Sequence, residues 1–466
     1  MPYLPAEIHR IIAQYVHRED LPSYRLVNRQ LYDIGTEELF STIVSHYSTA
    51  SIDRLKELSA NERLRRHVKT IFWDTNLWSL NNVRDFHEWE RYFAHRAEID
   101  RMHNADFDSR HLYTSGYTQL SQNRREWEAY LDRVTDEKKA RKALERLQVL
   151  GCFQNLRSIH IVHGALLPAH RGLQKVAELF LGALPAPAVL RRGLELEGFN
   201  GSPGVEAFLT IQQYCKSFLK KFRLNAVHPC CFSLLEPGAF DNLSSLNIKL
   251  SPWTCRNNPS TRSSTIQLMN DLKMFLVRSK QLESLRIDLN RGNATTRGHR
   301  AVLSVRQVFG DEHTWPKLRK LSLRNFFTTP ESLLLLLSRH SSTLKDLRLH
   351  SIGWEKSLSG TPKARPDRSL RPVRSPVWPQ VLQKMSELLC LEHVTVSGMV
   401  DEIRFVFGWR LNKNDGLAAA ITDYLITGRQ CPLIAEDVHF DGICESEDST
   451  PESEDSESWS VSTASP

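Results

Sequence analysis

The side chains best spaced for chemistry in this chain are lysines and arginines set between leucines. Lys221, Arg223, Lys249, Arg286, Lys320, Arg324 and Arg348 each alternate with apolar neighbours along short strand-like stretches. Alternation of period two sends them to the face opposite the leucines. The same face takes Ser158, His160, Ser245, Asn247, Ser284, Asp288, Ser322, Asp346, His350, His393, Thr395 and Ser397, so its basic side chains stand against two acids only. Ammonium and guanidinium groups on neighbouring strands suit an acidic or phosphorylated peptide, held by charge-assisted hydrogen bonds. The plainer reading is that Lys and Arg keep an exposed sheet soluble. Because Arg324 and Arg348 point away from the leucines, they should matter little to stability.

Catalytic chemistry is not legible. There is no G-x-S-x-G, no P-loop, no dinucleotide fingerprint and no His-x-x-x-His with a third ligand nearby. No enzyme activity, metal or cofactor is expected. The eight cysteines (152, 215, 230, 231, 255, 390, 431 and 444) lack the close pairs of a zinc site or a secreted framework. Most read as small buried hydrophobes, and a reducing, intracellular setting, cytoplasm or nucleus, is expected. No apolar signal-type stretch precedes the first helix, and no run approaches membrane-spanning length.

The elements carrying the basic row repeat. A Leu-x-x-Leu-x-Leu signature, with conservative swaps, starts at Leu156, Leu219, Leu243, Leu282, Leu318, Leu344 and Leu391. Its last two apolar positions alternate with polar ones, as in strands with one buried face. Amphipathic helices fill several of the gaps. The clearest follows Phe326-Phe327, with Thr329 as N-cap and Pro330 at the first helical position. An earlier strand, Val68 to Trp73, opens the series. Between it and the next strand, about 76–150 reads as a helical insertion, with Glu137-Lys138-Lys139 turned outward. Strand–turn–helix units repeated in one sense give a parallel sheet lining a curved solenoid. An ordinary α/β domain with several parallel strands is the alternative.

Before all of this stands a helical stretch. Ile8, Ile11, Ile12, Tyr15 and Val16 follow Leu4-Pro5-Ala6-Glu7 with helical spacing. A second helix carries Leu21-Pro22, Tyr24, Val27, Leu31 and Ile34, and a third runs from Glu37 to Ile43. Three short helices cannot bury that much apolar surface among themselves. The pattern Leu4-Pro5-x-Glu7-Ile8, Asp20-Leu21 and Arg25-Leu26-Val27-Asn28-Arg29 with Leu31 resembles the F-box that opens fungal F-box proteins. It departs at Pro22 and Leu31, which keep the apolar character.

The resemblance implies a Skp-type adaptor of a cullin–RING complex as partner, gripped by Leu4, Pro5, Ile8, Ile11, Ile12, Leu21, Leu26, Val27 and Leu31. It also implies degenerate leucine-rich repeats behind the module. The expected architecture is therefore α/β: an N-terminal three-helix F-box-like module (1–45), then an irregular leucine-rich-repeat solenoid (46–435) with the helical insertion. A Pro- and Arg-rich loop at 357–379 should interrupt the solenoid. After Arg429 there is no Lys or Arg, and an acidic segment (436–466), expected to be disordered, holds ten of the 54 acids. Without those ten, the net charge rises from +7 to +17. The expected function is substrate recognition in an SCF-type ubiquitin ligase, with no membrane contact. The alternatives are a non-ligase interaction scaffold and a basic nucleic-acid-binding protein. The latter is the less favoured because the basic loop lacks interleaved aromatics.

Overall fold

A computed structural model of the chain describes residues 4–17, 20–74, 85–103, 122–144, 148–162, 211, 213, 219–227, 232, 240–250, 270–289, 305–310, 313–354, 377–403, 407–411, 416–429 and 431–433. The expected disorder of 436–466 and most of the Pro/Arg loop lie outside these residues. Those described form two compact units of mixed α/β build, one within Met1–Cys215 and one within Lys216–Ser449.

The first unit opens with α1 (Ala6–Tyr15), α2 (Leu21–Tyr24) and α3 (Arg29–Ser41). The break between the last two falls earlier than the apolar spacing suggests. Asn28 stops the chain in extended form and accepts the Leu31 N–H at 2.8 Å, capping α3. One helix then runs through Glu37 to Ser41. Ile43, expected in a helix, instead lies in strand β1 (Thr42–His46), where the β-branched run Thr42-Ile43-Val44 packs well. Helix and strand meet without a loop. Lys69 N–H donates to Ser41 O at 2.9 Å, and Lys69 Nζ reaches Glu37 at 2.9 Å. That bond is the main reason the Glu37 carboxyl sits below its usual range.

Helices α4 (Thr49–Ala60) and α5 (Glu62–Arg65) lead to β2 (Thr70–Asp74). Two helices come next, α6 (Phe86–His103) and α7 (Arg124–Leu144), then β3 (Ser158–Val162). The three strands are parallel and in register, with Ile43 beside Ile71 and Ile71 beside Ile159. Trp89 meets Phe93 at 4.5 Å and Tyr130 at 5.2 Å between ring centres, all three buried. Lys138 and Lys139 of α7 face outward, but Glu137 does not: it is buried. Its neighbour Asp136 accepts from the Thr49 N–H at 3.1 Å and from the Thr49 hydroxyl, tying α7 to the start of α4.

The second unit holds β4 (Lys221–Val227), β5 (Ser245–Leu250), β6 (Ser284–Leu289), α8 (Val305–Phe309), β7 (Lys320–Arg324), β8 (Phe327–Thr328), α9 (Pro330–Ser338), β9 (Asp346–His350), β10 (Gly353–Trp354), α10 (Val377–Leu388), β11 (His393–Ile403), β12 (Phe407–Leu411) and α11 (Gly416–Thr427). Residues 270–278 are also helical, with Leu272, Phe275 and Leu276 buried. Helix α10 begins at Val377, so Pro379, placed by the sequence in a loop, sits in a first helical turn, where proline is tolerated. Thr329 caps α9 as expected, accepting from the Ser332 N–H at 3.2 Å.

Strands β4-β5-β6-β7-β9-β11 form a parallel array. Phe222, Leu246, Leu285, Leu321, Leu347 and Val394 stack as one buried rung; Leu224, Ile248, Ile287, Leu323, Leu349 and Val396 form the next. The first leucine of each signature is buried as well. Strands β5, β6, β7, β9 and β11 are entered the same way. Lys220 O, Ser244 O, Glu283 O, Arg319 O and Lys345 O each accept two N–H groups from the next strand's start. In the first unit Lys69 O does the same for Arg157 and Ser158. At the other end, β7, β9 and β11 bend at one common register. Asn325, Ser351 and Gly398 directly follow Arg324, His350 and Ser397, and all have positive φ (63°, 52° and 76°). A side chain at Gly398 would run into Ser351, so only glycine fits there. Past this bend β8, β10 and the second half of β11 pair in parallel, and β12 returns antiparallel to β11.

Candidate functional site

In α1 the apolar stripe faces the wrong way for a helix that closes its own core. Leu4, Ile8, Ile11, Ile12 and Tyr15 are 40–82% exposed, whereas Ala13 is the helix's one buried residue. The helix packs through the side that carries Ala6, His9, Ala13 and Val16. Tyr24 Oη donates to His9 O at 3.3 Å, and Arg10 Nε lies 4.0 Å from Glu37. Leu26 and Val27, in the turn before α3, add side chains 83% and 68% exposed. Pro5 is exposed at the N-cap position of α1. Leu21 and Leu31 behave otherwise: both are buried and serve as the module's own core. Of the residues picked from the sequence, Leu4, Pro5, Ile8, Ile11, Ile12, Leu26 and Val27 thus remain available to a partner, and Tyr15 joins them. Its place four residues beyond Ile11 was the readable signal.

The second candidate surface is the outward face of the β4–β11 array. All seven basic side chains lie on it, in three rows set by the register. Lys221 and Lys320 share the first row, Arg223, Arg286 and Arg348 the second, Lys249 and Arg324 the third. Within the second row arginines alternate with Asn247 and Ser322 from strand to strand. The two acids do not share the surface equally. Asp346 and Asp288 are sunk, their side chains 6% and 5% exposed, with bases standing over them. Arg348 reaches Asp346 from Nε at 3.1 Å and from Nη2 at 3.3 Å, and Lys320 lies 4.0 Å from it. Arg324 Nε stands 3.7 Å from Asp288, whose other oxygen accepts from Asn325 Nδ2 at 2.9 Å.

Burial pushes the Asp288 carboxyl above its ordinary range, against the pull of Arg324, Lys249, Asn325 and Arg286. Arg324 and Arg348, expected from the sequence to matter little to stability, have partners that argue for the opposite. They are the counter-charges of nearly buried carboxylates. The signal missed in the sequence was Asp at a strand position flanked by bases on the next strand.

No protein-family model matches the chain, and no curated protein is similar to it in sequence.

Other chemistry is sparse. Among the described residues no three His, Cys, Asp or Glu side chains gather for a metal, and no helix is long and apolar enough to cross a membrane. Cys152 and Cys390 are exposed and Cys431 is half-buried, while the other five cysteines, most of the eight expected to be buried, lie outside the described residues. His340 is buried and structural. Its Nε2 accepts the Trp315 N–H at 3.1 Å, which leaves Nδ1–H to donate to Leu336 O at 2.9 Å.

Proposed function

We propose that this chain is the substrate-recognition subunit of an SCF-type cullin–RING ubiquitin ligase. The α1 stripe with Leu26-Val27 binds the Skp-type adaptor, and the outward face of the parallel array holds a protein substrate. Ubiquitin transfer takes place elsewhere in such a complex, so this chain contributes proximity and orientation. The observation that carries the reading is the outward stripe. Seven large apolar side chains within the first 27 residues stand exposed on one small module. So many large apolar side chains exposed on so small a module point to a protein interface. Six of those seven are the residues that the F-box resemblance assigns to adaptor contact. The recurring strand start, with a single carbonyl taking two N–H groups each time, supports the leucine-rich-repeat reading of the strands behind the module.

The test is the double variant Ile8→Asp, Leu26→Asp. Both side chains are substantially exposed, so circular dichroism and urea midpoints should hardly move. Carboxylates placed in an apolar interface cost several kcal/mol, on the order of the whole affinity of a modest complex. Adaptor co-precipitation should vanish. A folded double variant that still captures the adaptor at full strength removes the reading.

A further inference from the structure

We infer that the acidic segment of this chain is a ligand for its own basic sheet face, occupying it in competition with any acidic partner. The inference does not depend on the adaptor reading. On the face the two acidic side chains are 5–6% exposed, whereas those of Lys320, Arg324 and Arg348 beside them are 51%, 23% and 32% exposed. An anion approaching from solvent therefore meets guanidinium and ammonium groups first. A guanidinium has five N–H donors in a fixed fork and can hold two carboxylates at once, so the contact of Arg348 with Asp346 does not exclude a second anion.

The acidic segment follows closely, in sequence, a residue fixed in the same unit as the face. Helix α11 packs on β11, with Ile421, Tyr424 and Leu425 buried. Six residues past that helix the chain is pinned by Leu433, which is buried. Glu436, Asp437, Asp441, Glu445, Glu447 and Asp448 come after it with no Lys or Arg among them. From Leu433 to Asp441 an extended chain covers up to ~26 Å at about 3.3 Å per residue. Arg348 is on the strand next to β11, and Lys320 and Arg324 are one strand further, ~10 Å across the sheet at about 4.8 Å per strand. The acids at 436–448 thus follow within a short length of chain a residue fixed in the same unit as the basic face. Tethering raises their local concentration there far above that of a free peptide.

Two full-length chains decide the matter: the unaltered one, and one with Glu436→Gln, Asp437→Asn, Asp441→Asn, Glu445→Gln, Glu447→Gln and Asp448→Asn. The probe is a fluorescent synthetic peptide with the sequence of residues 436–448, followed by anisotropy. At low salt it should bind the neutralised chain on the order of tenfold more tightly than the unaltered one, because the internal competitor is gone. The gain should fade at about 0.5 M salt, where screening shortens to a few ångströms. Adding Arg286→Ser and Lys320→Ser to the neutralised chain should remove the binding, with urea midpoints confirming the fold. Equal affinity for the two chains at low salt overturns the inference, as does peptide binding that ignores Arg286→Ser and Lys320→Ser. A labelled DNA duplex that binds the neutralised chain and resists displacement by the peptide makes the face a nucleic-acid surface and overturns it too.

Discussion

Replacing Arg324 by Gln takes the nearest cation from a carboxylate that is almost out of solvent. At an effective dielectric constant of about 20, unit charges 3.7 Å apart attract by ~4.5 kcal/mol. That is an upper bound here. The Arg324 side chain is 23% exposed, and Lys249 and Arg286 still act on Asp288. A loss of about 1–3 kcal/mol at neutral pH is expected. The pH dependence gives the reasoning its sharper test. Burial already holds the Asp288 carboxyl above its unfolded-state value of 3.8, and removing Arg324 raises it further. A group with a raised folded-state value favours the folded protein below its unfolded value and loses that contribution as pH rises through the folded one. The penalty of Arg324→Gln should therefore be largest near pH 7.5 and shrink as the carboxyl is protonated in acid.

Urea denaturation followed by tryptophan fluorescence, run on both chains at each pH, cancels the titration of all other groups in the difference. In an Asp288→Asn background the Arg324→Gln penalty should fall to within about 0.5 kcal/mol, since no buried charge is then abandoned. Asn keeps an oxygen to accept the Asn325 N–H. A penalty that is the same at every pH, or the same in the Asp288→Asn chain, refutes the account of this pair.

Leu321 and Leu347 sit side by side in one buried rung, so either one changed to Ala should cost about 2–5 kcal/mol. Lys221→Ala, on the exposed face, should stay within about 0.5 kcal/mol in the same urea assay. Burial holds His46, His313 and His340 below the ordinary 6.5. Their stabilising contribution is complete above about that pH and is lost as pH falls through the depressed values, because the unfolded chain takes up protons first. Urea midpoints should thus drop between pH 7 and 5, and drop less in His340→Asn, which should itself cost about 1–3 kcal/mol at pH 7.5 by breaking the bridge between Trp315 and Leu336. A flat profile in the unaltered chain speaks against it.

The strands were the most legible part of the chain, for a physical reason. Leu321, Leu347 and their equivalents each meet like residues on both sides, so the buried rung demands the same residue type again and again. Strand β1 escaped because its second inward position is Ser45, a polar residue made acceptable in the core by the hydroxyl of Ser51. No hydrophobic pattern reveals such a pairing. The α2–α3 break was hidden because the apolar spacing runs through Asn28, and only the cap bond to Leu31 identifies it. On the N-terminal module, spacing identified the apolar residues but not which face they served. Leu31 and Ile8 look alike in sequence and part company only when α3 supplies the module's interior. The common bend at Asn325, Ser351 and Gly398 shows its glycine but not its other two members, since Asn and Ser enter the left-handed region only under local constraint.

The junction of α3 and β1 makes the N-terminal module a lever without a hinge. Ser41 is the last helical residue and Thr42 the first of the strand, and Lys69 clamps both the helix end and Glu37 one turn earlier. Whatever grips the α1 stripe consequently holds β1, β2 and β3 at a set angle rather than on a tether. Those three strands would then be presented along a defined direction, with the reach of the arm fixed by rigid lengths instead of by chance encounters. Inserting a few glycines between Ser41 and Thr42 would turn that arm into a leash without touching either surface.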